Sequence, residues 1–571
     1  MRNYYGEMQD RLNKYRVVHK DKPRIAILKS IIWNFFFLFK LPTGDQDEGI
    51  VYMQDPMTNL IEQTGREQTS NYTMEIDGKK VFRVALAEGG GLGDALLDTQ
   101  LLKTISELNT KNIKIDFYCR SYKLFDNYPF IDNAYPYSES IDKAKYDLIL
   151  IGHRFMIIHH MCDDKVKEYS PILFEYCCDS RKLIEHDLSN NLNDNIISQY
   201  ALLKGKNRIE QCNINDILPM DRYSSKYMSI NPKELSVLKK YNLLGKKYIV
   251  LNREVDGKYD NNHPKLWSLE KYNRLVKLIK QKYPDILIVQ MGTSNSFGKL
   301  SLIDVDLVEK TNLEQCKIVL KYSLLLFASE GGLVHLKNFL YGKSVVIFGP
   351  TIPEIFGYEE NINIRSNACP HTCEWVTDQW AEKCILGYQD PVCTRSIELT
   401  DVYEAIEKLL AEKSEYKYTI DEYIEKMTPE VFEKIIKNNN KKICAIGYVS
   451  EKMLQIVLDN EKEIYCYIDR KKTRERCNNI KEIYGNMYNI PAEDNTYQIA
   501  FSMELCEDEN CIFSIMELLR IIGDGGRAVI VVKKTHVSCL IDALEKLEIN
   551  IDASKIMWGK DYTLVIKKER V

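Results

Sequence analysis

Three short stretches of the 571-residue chain carry side chains whose types and spacing could do chemistry. The first, VALAEGGGLGDALLDTQLLKTI over residues 84–105, sets Asp94 behind a run of glycines that follows an apolar segment. A dinucleotide fingerprint calls for a third glycine at that place, so that backbone amides and a helix N-terminus can meet a pyrophosphate. A carboxylate there would repel it. The glycines instead predict a sharp turn at the carboxyl edge of a strand, presenting Asp94 at a helix start where it can accept a proton or simply cap the helix. The second stretch, FASEGGLVHLKNFLYGKSVVIFGPTIPEIFG over 327–357, runs a strand into Ser329-Glu330-Gly331-Gly332 and opens a helix near Leu333. The unshielded amides of Gly331, Gly332 and Leu333, backed by the helix dipole, make this the better phosphate site. The third carries Cys369, Cys373, Cys384 and Cys393 within 367–395. Four sulfurs in one loop suit a tetrahedral zinc or iron, and a full set of protein ligands leaves no position for substrate, so the role would be structural. Reduced cysteines or two disulfides are the other readings of that spacing.

The elements around these residues alternate. From residue 81, VFRVALAEG, the helical DALLDTQLLKTISEL, IKIDFYC and YDLILIG read as strand, helix, strand and strand. A second series runs from KKYIVLNRE through WSLEKYNRLVKLIKQKYP, ILIVQMG and SVVIFGPT, and a third from ICAIGYVS to YTLVIKK. Such alternation predicts an α/β fold of parallel sheets with helices on both faces, and two consecutive units imply a cleft between them. The predicted domains are a basic, partly helical arm over 1–78, an N-terminal Rossmann-like unit over 79–235, a second over 236–412, a linker helix over 413–436 and a third α/β unit over 437–571.

A formal charge of -4 and a pI near 6.2 offer no footprint for nucleic acid. Sixteen cysteines scattered along a chain without a signal-peptide pattern predict a reducing, cytoplasmic setting. No apolar run reaches the length of a membrane span. IAILKSIIWNFFFLF over 25–39, after a basic stretch, predicts either contact with the inner face of a membrane or packing against protein.

The ordered pair GGLGDALLDTQLL and EGGLVHLKNFLYGKSVVIFGPT resembles the two signature regions of the heptosyltransferase-like glycosyltransferases of family 9, over roughly residues 81–410. That resemblance implies a GT-B architecture, two Rossmann-like doubly wound domains facing a cleft, and an inverting transfer of a sugar from a nucleotide-sugar donor to a bacterial surface glycan or protein acceptor. It implies Asp94 as the base on the acceptor hydroxyl and Lys265 as the cation that neutralises the departing diphosphate. Donor contacts would fall on Gly93, Glu330, Gly331, Gly332, Leu333 and His335, with Arg253 near the phosphates and Thr293 and Ser294 near the base and ribose. Glu330-Gly331 departs from the family's Asp-Thr-Gly or Asp-Ser-Gly, removing a hydroxyl from the phosphate site. A cysteine finger also occurs in the branch that glycosylates autotransporter proteins, where it holds iron.

ICAIGYVSEKML, YIDRKK and MELLRIIGDGGRAVIVV resemble, in that order, the motifs of class I S-adenosylmethionine methyltransferases. Only Gly447 stands where that family needs several glycines, which predicts a methyltransferase-like fold without the cofactor, with Asp469 the residue that could hold a ribose. The alternatives carried forward are a bifunctional glycosyltransferase and methyltransferase, and a non-catalytic GT-B scaffold. A homo-oligomer is compatible with either.

Overall fold

The computed structural model describes residues 75–571 apart from 77–78, 110–112, 127, 153, 191–193, 221–225, 256–262, 294–297, 370, 375, 377–379, 381–383, 385, 389, 415, 425–427, 438–441, 448–454, 458, 461–463, 469–480, 503–509, 533–535 and 550–561. Beyond a short antiparallel pair, β1 (Glu75–Ile76) with β2 (Lys79–Lys80), the expected arm and its 25–39 segment lie outside the described residues. Among the described residues no helix is long and apolar enough to cross a membrane.

Three sheets follow. The first comprises β3 (Phe82–Glu88), β4 (Ile113–Cys119), β5 (Asn133–Pro136), β6 (Leu148–Ile151) and β7 (Ile157–Met161), in the order β5-β4-β3-β6-β7. Only β7 runs antiparallel to its neighbour. The second comprises β8 (Tyr248–Asn252), β9 (Leu287–Gln290), β10 (Val305–Asp306), β11 (Leu326–Ser329), β12 (Ser344–Phe348) and β13 (Ile362–Arg365). All its pairs are parallel, in the order β10-β9-β8-β11-β12-β13, the doubly wound order of dinucleotide-binding sheets. Strands such as β8 and β12 are buried at every residue, as sheets covered on both faces require.

The third sheet comprises β14 (Tyr416–Ile424), β15 (Ile443–Ile446), β16 (Ile464–Ile468), β17 (Lys481–Tyr484), β18 (Tyr497–Ser502), β19 (Ile522–Val532) and β20 (Tyr562–Arg570), ordered β14-β20-β19-β18-β15-β16-β17. Residues 416–424, expected within a linker helix, are thus an edge strand, antiparallel to β20. Alternation of Tyr416, Tyr418 and Ile420 with Lys417 and Thr419 has the period of a strand. The helix follows only at Pro429–Lys437.

In all three sheets the winding reverses beside the first strand of the Rossmann-like series, between β3 and β6, β8 and β11, and β15 and β18. Ligands of open α/β sheets bind outside the strand ends at such points. In the third sheet the chain after β15 and β18 continues into 448–454 and 503–509, which, like Asp469, lie outside the described residues.

One buried apolar cluster runs through all three units, taking in Leu96 and Leu101, Val334 and Leu336, and Ile515 and Leu518. A second covers the other face of the middle sheet with Trp267, Tyr272, Phe327 and Leu409. The third unit is fastened to the second by a buried ion pair, Lys321 Nζ to Glu517 at 2.7 Å. Lys321 also donates to Asn489 Oδ1 at 2.7 Å and to the Leu340 carbonyl at 3.1 Å. Glu517 is held in turn by Arg520 and by the Ile490 amide.

Candidate active site

Asp94 lies on the Leu92–Glu107 helix, one turn past the glycine bend that ends β3. One carboxylate oxygen accepts the Gly91 amide at 3.2 Å, so the capping role is real. The other accepts the Arg208 guanidinium at 2.8 Å, and the side chain is still 37% exposed. Burial pulls the carboxyl upward, but the guanidinium groups of Arg208 and Arg154 outweigh it and hold Asp94 at about 2. It is therefore an ionised acceptor with an open side at neutral pH.

The second-lobe helix Gly332–Phe339 begins directly opposite. A β-carbon on Gly93 would stand 2.6 Å from His335 Cδ2, and one on Gly332 would stand 3.1 Å from Leu92 Cβ. The two helix starts, one from each lobe, thus touch at Gly93, where a β-carbon would overlap the His335 ring, and at Gly332, where one would press on Leu92. Their first-turn amides, those of Gly332 and Leu333 among them, have no intrahelical acceptor, and the two dipoles point their positive ends at one place. His335 is buried, with Nδ1 2.7 Å from the Tyr358 hydroxyl, and burial keeps its value down. It is a packed, neutral imidazole.

Lys265 departs from the sequence expectation of a cation waiting for a phosphate. Its ammonium donates to Glu330 at 2.7 Å and Glu374 at 2.8 Å and lies 5.4 Å from the Trp380 ring centre. Despite burial, the two carboxylates raise it, so Lys265 stays charged. Glu330, which also accepts from Thr351 Oγ1, is lowered by that lysine, whereas burial raises Glu374. The lysine's charge is already matched here. The loop is built to hold it there, since the Lys265 amide donates to His263 Nδ1 and Ser329 Oγ donates to the Lys265 carbonyl.

The remaining expected donor contacts lie at the ends of β8 and β9. Arg253 is buried, with Nε donating to the Trp267 carbonyl at 3.2 Å. Thr293 gives both its amide and its hydroxyl to Glu254. Ser294 lies outside the described residues.

The cysteine loop leans on the same site. The Cys373 amide donates to the Pro350 carbonyl, and the loop delivers Glu374 and Trp380 to Lys265. Burial pushes the Cys373 thiol up, and Cys393, Cys369 and Cys384 lie near enough to add to the effect. Yet among the described residues no three His, Cys, Asp or Glu side chains converge as metal ligands. The donor set is right for zinc or iron and the side chains are neighbours, but they are not closed into a coordination site.

Sequence reasoning missed Arg208, Arg154, Glu374 and the acids beneath Asp94, Glu88 and Asp98. Arg208, Arg154 and Glu374 come from loops far along the chain and leave no local signal. Glu88 had one: β3 and β11 both lead into Glu-Gly-Gly, with Glu88 the last residue of β3 and Glu330 the first after β11, each beside the winding reversal of its sheet.

No family model and no curated protein matches the chain. Among solved structures it is similar to a family 9 glycosyltransferase from Veillonella parvula, at 14% identity over 60% of this chain and 99% of that one, TM-score 0.38. It is similar also to the Escherichia coli ADP-heptose lipopolysaccharide heptosyltransferase II, at 14% identity over 58% and 99%, TM-score 0.37. The iron-containing dodecameric glycosyltransferase TibC from enterotoxigenic E. coli matches at 12% identity over 59% and 77%, TM-score 0.39. A protein from Methanococcus maripaludis described as an S-adenosylmethionine-dependent methyltransferase matches at 17% identity over 25% of this chain and 85% of that one, TM-score 0.18.

Proposed function

We propose that the chain is an inverting glycosyltransferase that moves a sugar from a nucleotide-sugar donor to a hydroxyl of a bacterial surface glycan or protein. The observation that carries the reading is the meeting of two helix starts from opposite lobes at Gly93 and His335, with the half-open Asp94 carboxylate beside them. A diphosphate needs convergent amides and positive charge, and the helix starts with Arg208 and Arg154 supply both. As the acceptor oxygen attacks the anomeric carbon, the bond from that carbon to the diphosphate oxygen breaks, the hydroxyl proton passes to Asp94, and the diphosphate leaves with the electron pair. One displacement inverts the anomeric centre.

Lys265 enters this reading through its two glutamates: an arriving diphosphate would compete with Glu330 and Glu374 for the ammonium. That same matched charge favours the second reading, a non-catalytic scaffold. Mass spectrometry after incubation with a panel of nucleotide sugars and surface-glycan or peptide acceptors separates the two. The transferase reading expects nucleoside diphosphate and a glycosylated product. It expects Asp94→Asn to bind donor and turn over about 10²–10⁴-fold more slowly. Donor binding without release of nucleoside diphosphate for any pair would establish the scaffold.

Two finer points belong to the same proposal. The cysteine quartet takes up structural zinc or iron once its thiols are deprotonated, with no part in the transfer step. The chain works in the cytoplasm at the inner membrane face through residues 25–39, so it should float with anionic vesicles and lose that property when 1–78 are removed; equal flotation of both forms would refute it.

A further inference from the structure

Below Asp94 lies a pair of acids that the transfer step does not use. Glu88 is the last residue of β3, and Gly152 follows β6 across the winding reversal of the first sheet. A β-carbon on Gly152 would overlap Glu88 Oε2 and stand 3.0 Å from Asp98 Oδ2, so both carboxyl groups fill the notch that this glycine leaves. Glu88 Oε1 accepts the Gly90 amide at 2.5 Å, tying the glycine bend to the pair. Asp98 sits one helical turn after Asp94. Its Oδ2 is buried and, among the described residues, no nitrogen or hydroxyl donor reaches it; the Glu88 carboxyl is the hydrogen-bonding neighbour of the Asp98 carboxyl. Arg208 spans the outside of the group, bonded to Asp94 through one terminal nitrogen and to the second lobe through its own amide, which donates to the Ile355 carbonyl at 3.0 Å.

We propose that Glu88 and Asp98 share one proton as a carboxyl–carboxylate pair and thereby keep Arg208 on Asp94, which makes both of them positioning residues for the transfer. The kinetic half of this inference rests on the transferase reading; the shared proton does not.

Two buried carboxylates in contact cannot both stay charged, and a hydrogen bond between them exists only while one keeps a proton. Burial, then the charges of Asp98 and Asp94, push Glu88 well above the carboxylate range, while burial takes Asp98 to about 6. The charged and titratable groups facing the pair are Asp94, Arg154, Arg208, Cys119, Cys212 and Tyr176. The two arginines are the cations on which the acids draw. With one proton held, Asp94 keeps its share of Arg208. When alkaline pH removes that proton, a second negative charge appears inside and draws the guanidinium inward, away from Asp94.

The test compares wild type, Glu88→Gln and Glu88→Ala by infrared difference spectroscopy and by the pH profile of transfer. At pH 7 the wild type should show a neutral carboxylic acid band that Glu88→Gln lacks. Wild-type kcat should fall at alkaline pH, and Glu88→Gln, whose amide can donate to Asp98 and accept from Gly90, should keep neutral-pH turnover but lose that fall. Glu88→Ala should lower kcat by about 10²-fold at unchanged KM, the scale of a misplaced reacting group. No such band difference, an alkaline fall persisting in Glu88→Gln, or wild-type kcat in Glu88→Ala would each overturn the proposal. If wild type transfers no sugar, the transferase reading fails separately, and the infrared band still decides the shared proton.

Discussion

Replacing Glu517 with glutamine should loosen the third unit, whereas replacing its partner Lys321 with methionine should not. Both side chains are about 3% exposed and meet at 2.7 Å. Burial nevertheless takes Lys321 down to about 8 from its usual 10.5, so its charge already costs the folded state about 3 kcal/mol at neutral pH. That cost is in force below pH 8 and disappears as pH rises through 10.5, so the Lys321 contribution to stability improves toward alkaline pH. Glu517→Gln strands two cations. Lys321 can shed its proton, which limits its share to about 1.4 kcal/mol at pH 7. Arg520 cannot, and it loses two charge-assisted bonds of roughly 1.5–3 kcal/mol each, partly retained through Asp494 and the Ile490 and Ala492 carbonyls. The expected loss is about 3–5 kcal/mol, the scale found for unpartnered buried charges. Lys321→Met removes the costly charge and leaves Glu517 paired with Arg520, so stability should hold or rise. Hydrogen exchange of the Cys511–Ile521 helix, measured with the melting transition, reports the interface locally. A methionine variant that opens this helix more than the glutamine variant would refute the reasoning.

Three further outcomes can be checked. Arg208→Met removes the main cation holding Asp94 at about 2, so burial prevails and the acid limb of the transfer profile should move up into or above the ordinary range near 3.9; an unmoved limb would show that Asp94 is not the titrating base. Gly93→Ala places a methyl against His335 and should cost about 1–3 kcal/mol of stability together with turnover, with Gly93→Ala/His335→Ala regaining part of it; equal defects in both would place the fault elsewhere. Elemental analysis should find zinc or iron in the purified protein and less of it in Cys393→Ser, while four thiols titrating freely without metal would rule out the staple.

Much of this could be read from residue order, and the limits are physical. The runs around Val84–Ala87 and Val345–Phe348 are apolar at consecutive positions, a pattern that marks strands covered on both faces, and the glycines behind them marked the turns. The pairing of Glu330 and Glu374 with Lys265 was not legible, because contacts between residues 65 and 109 apart in sequence leave no periodic trace. The same holds for Arg208 on Asp94. The segment 416–424, expected within a linker helix, is instead a strand, because its pairing with β20, more than a hundred residues away, leaves no local signal.

The strand β14 has a practical consequence for anyone dividing this chain. It falls by sequence in the expected linker between the second and third units and belongs by main-chain bonding to the third, forming the border of that sheet beyond β20. A fragment starting at residue 437 would leave a full row of β20 amides and carbonyls bare, an invitation to stack with its own copies. A fragment ending at 412 would have no such border to offer. The two units are stitched rather than strung together, and any shortened version meant to behave well should keep the seam by starting the third unit before Tyr416.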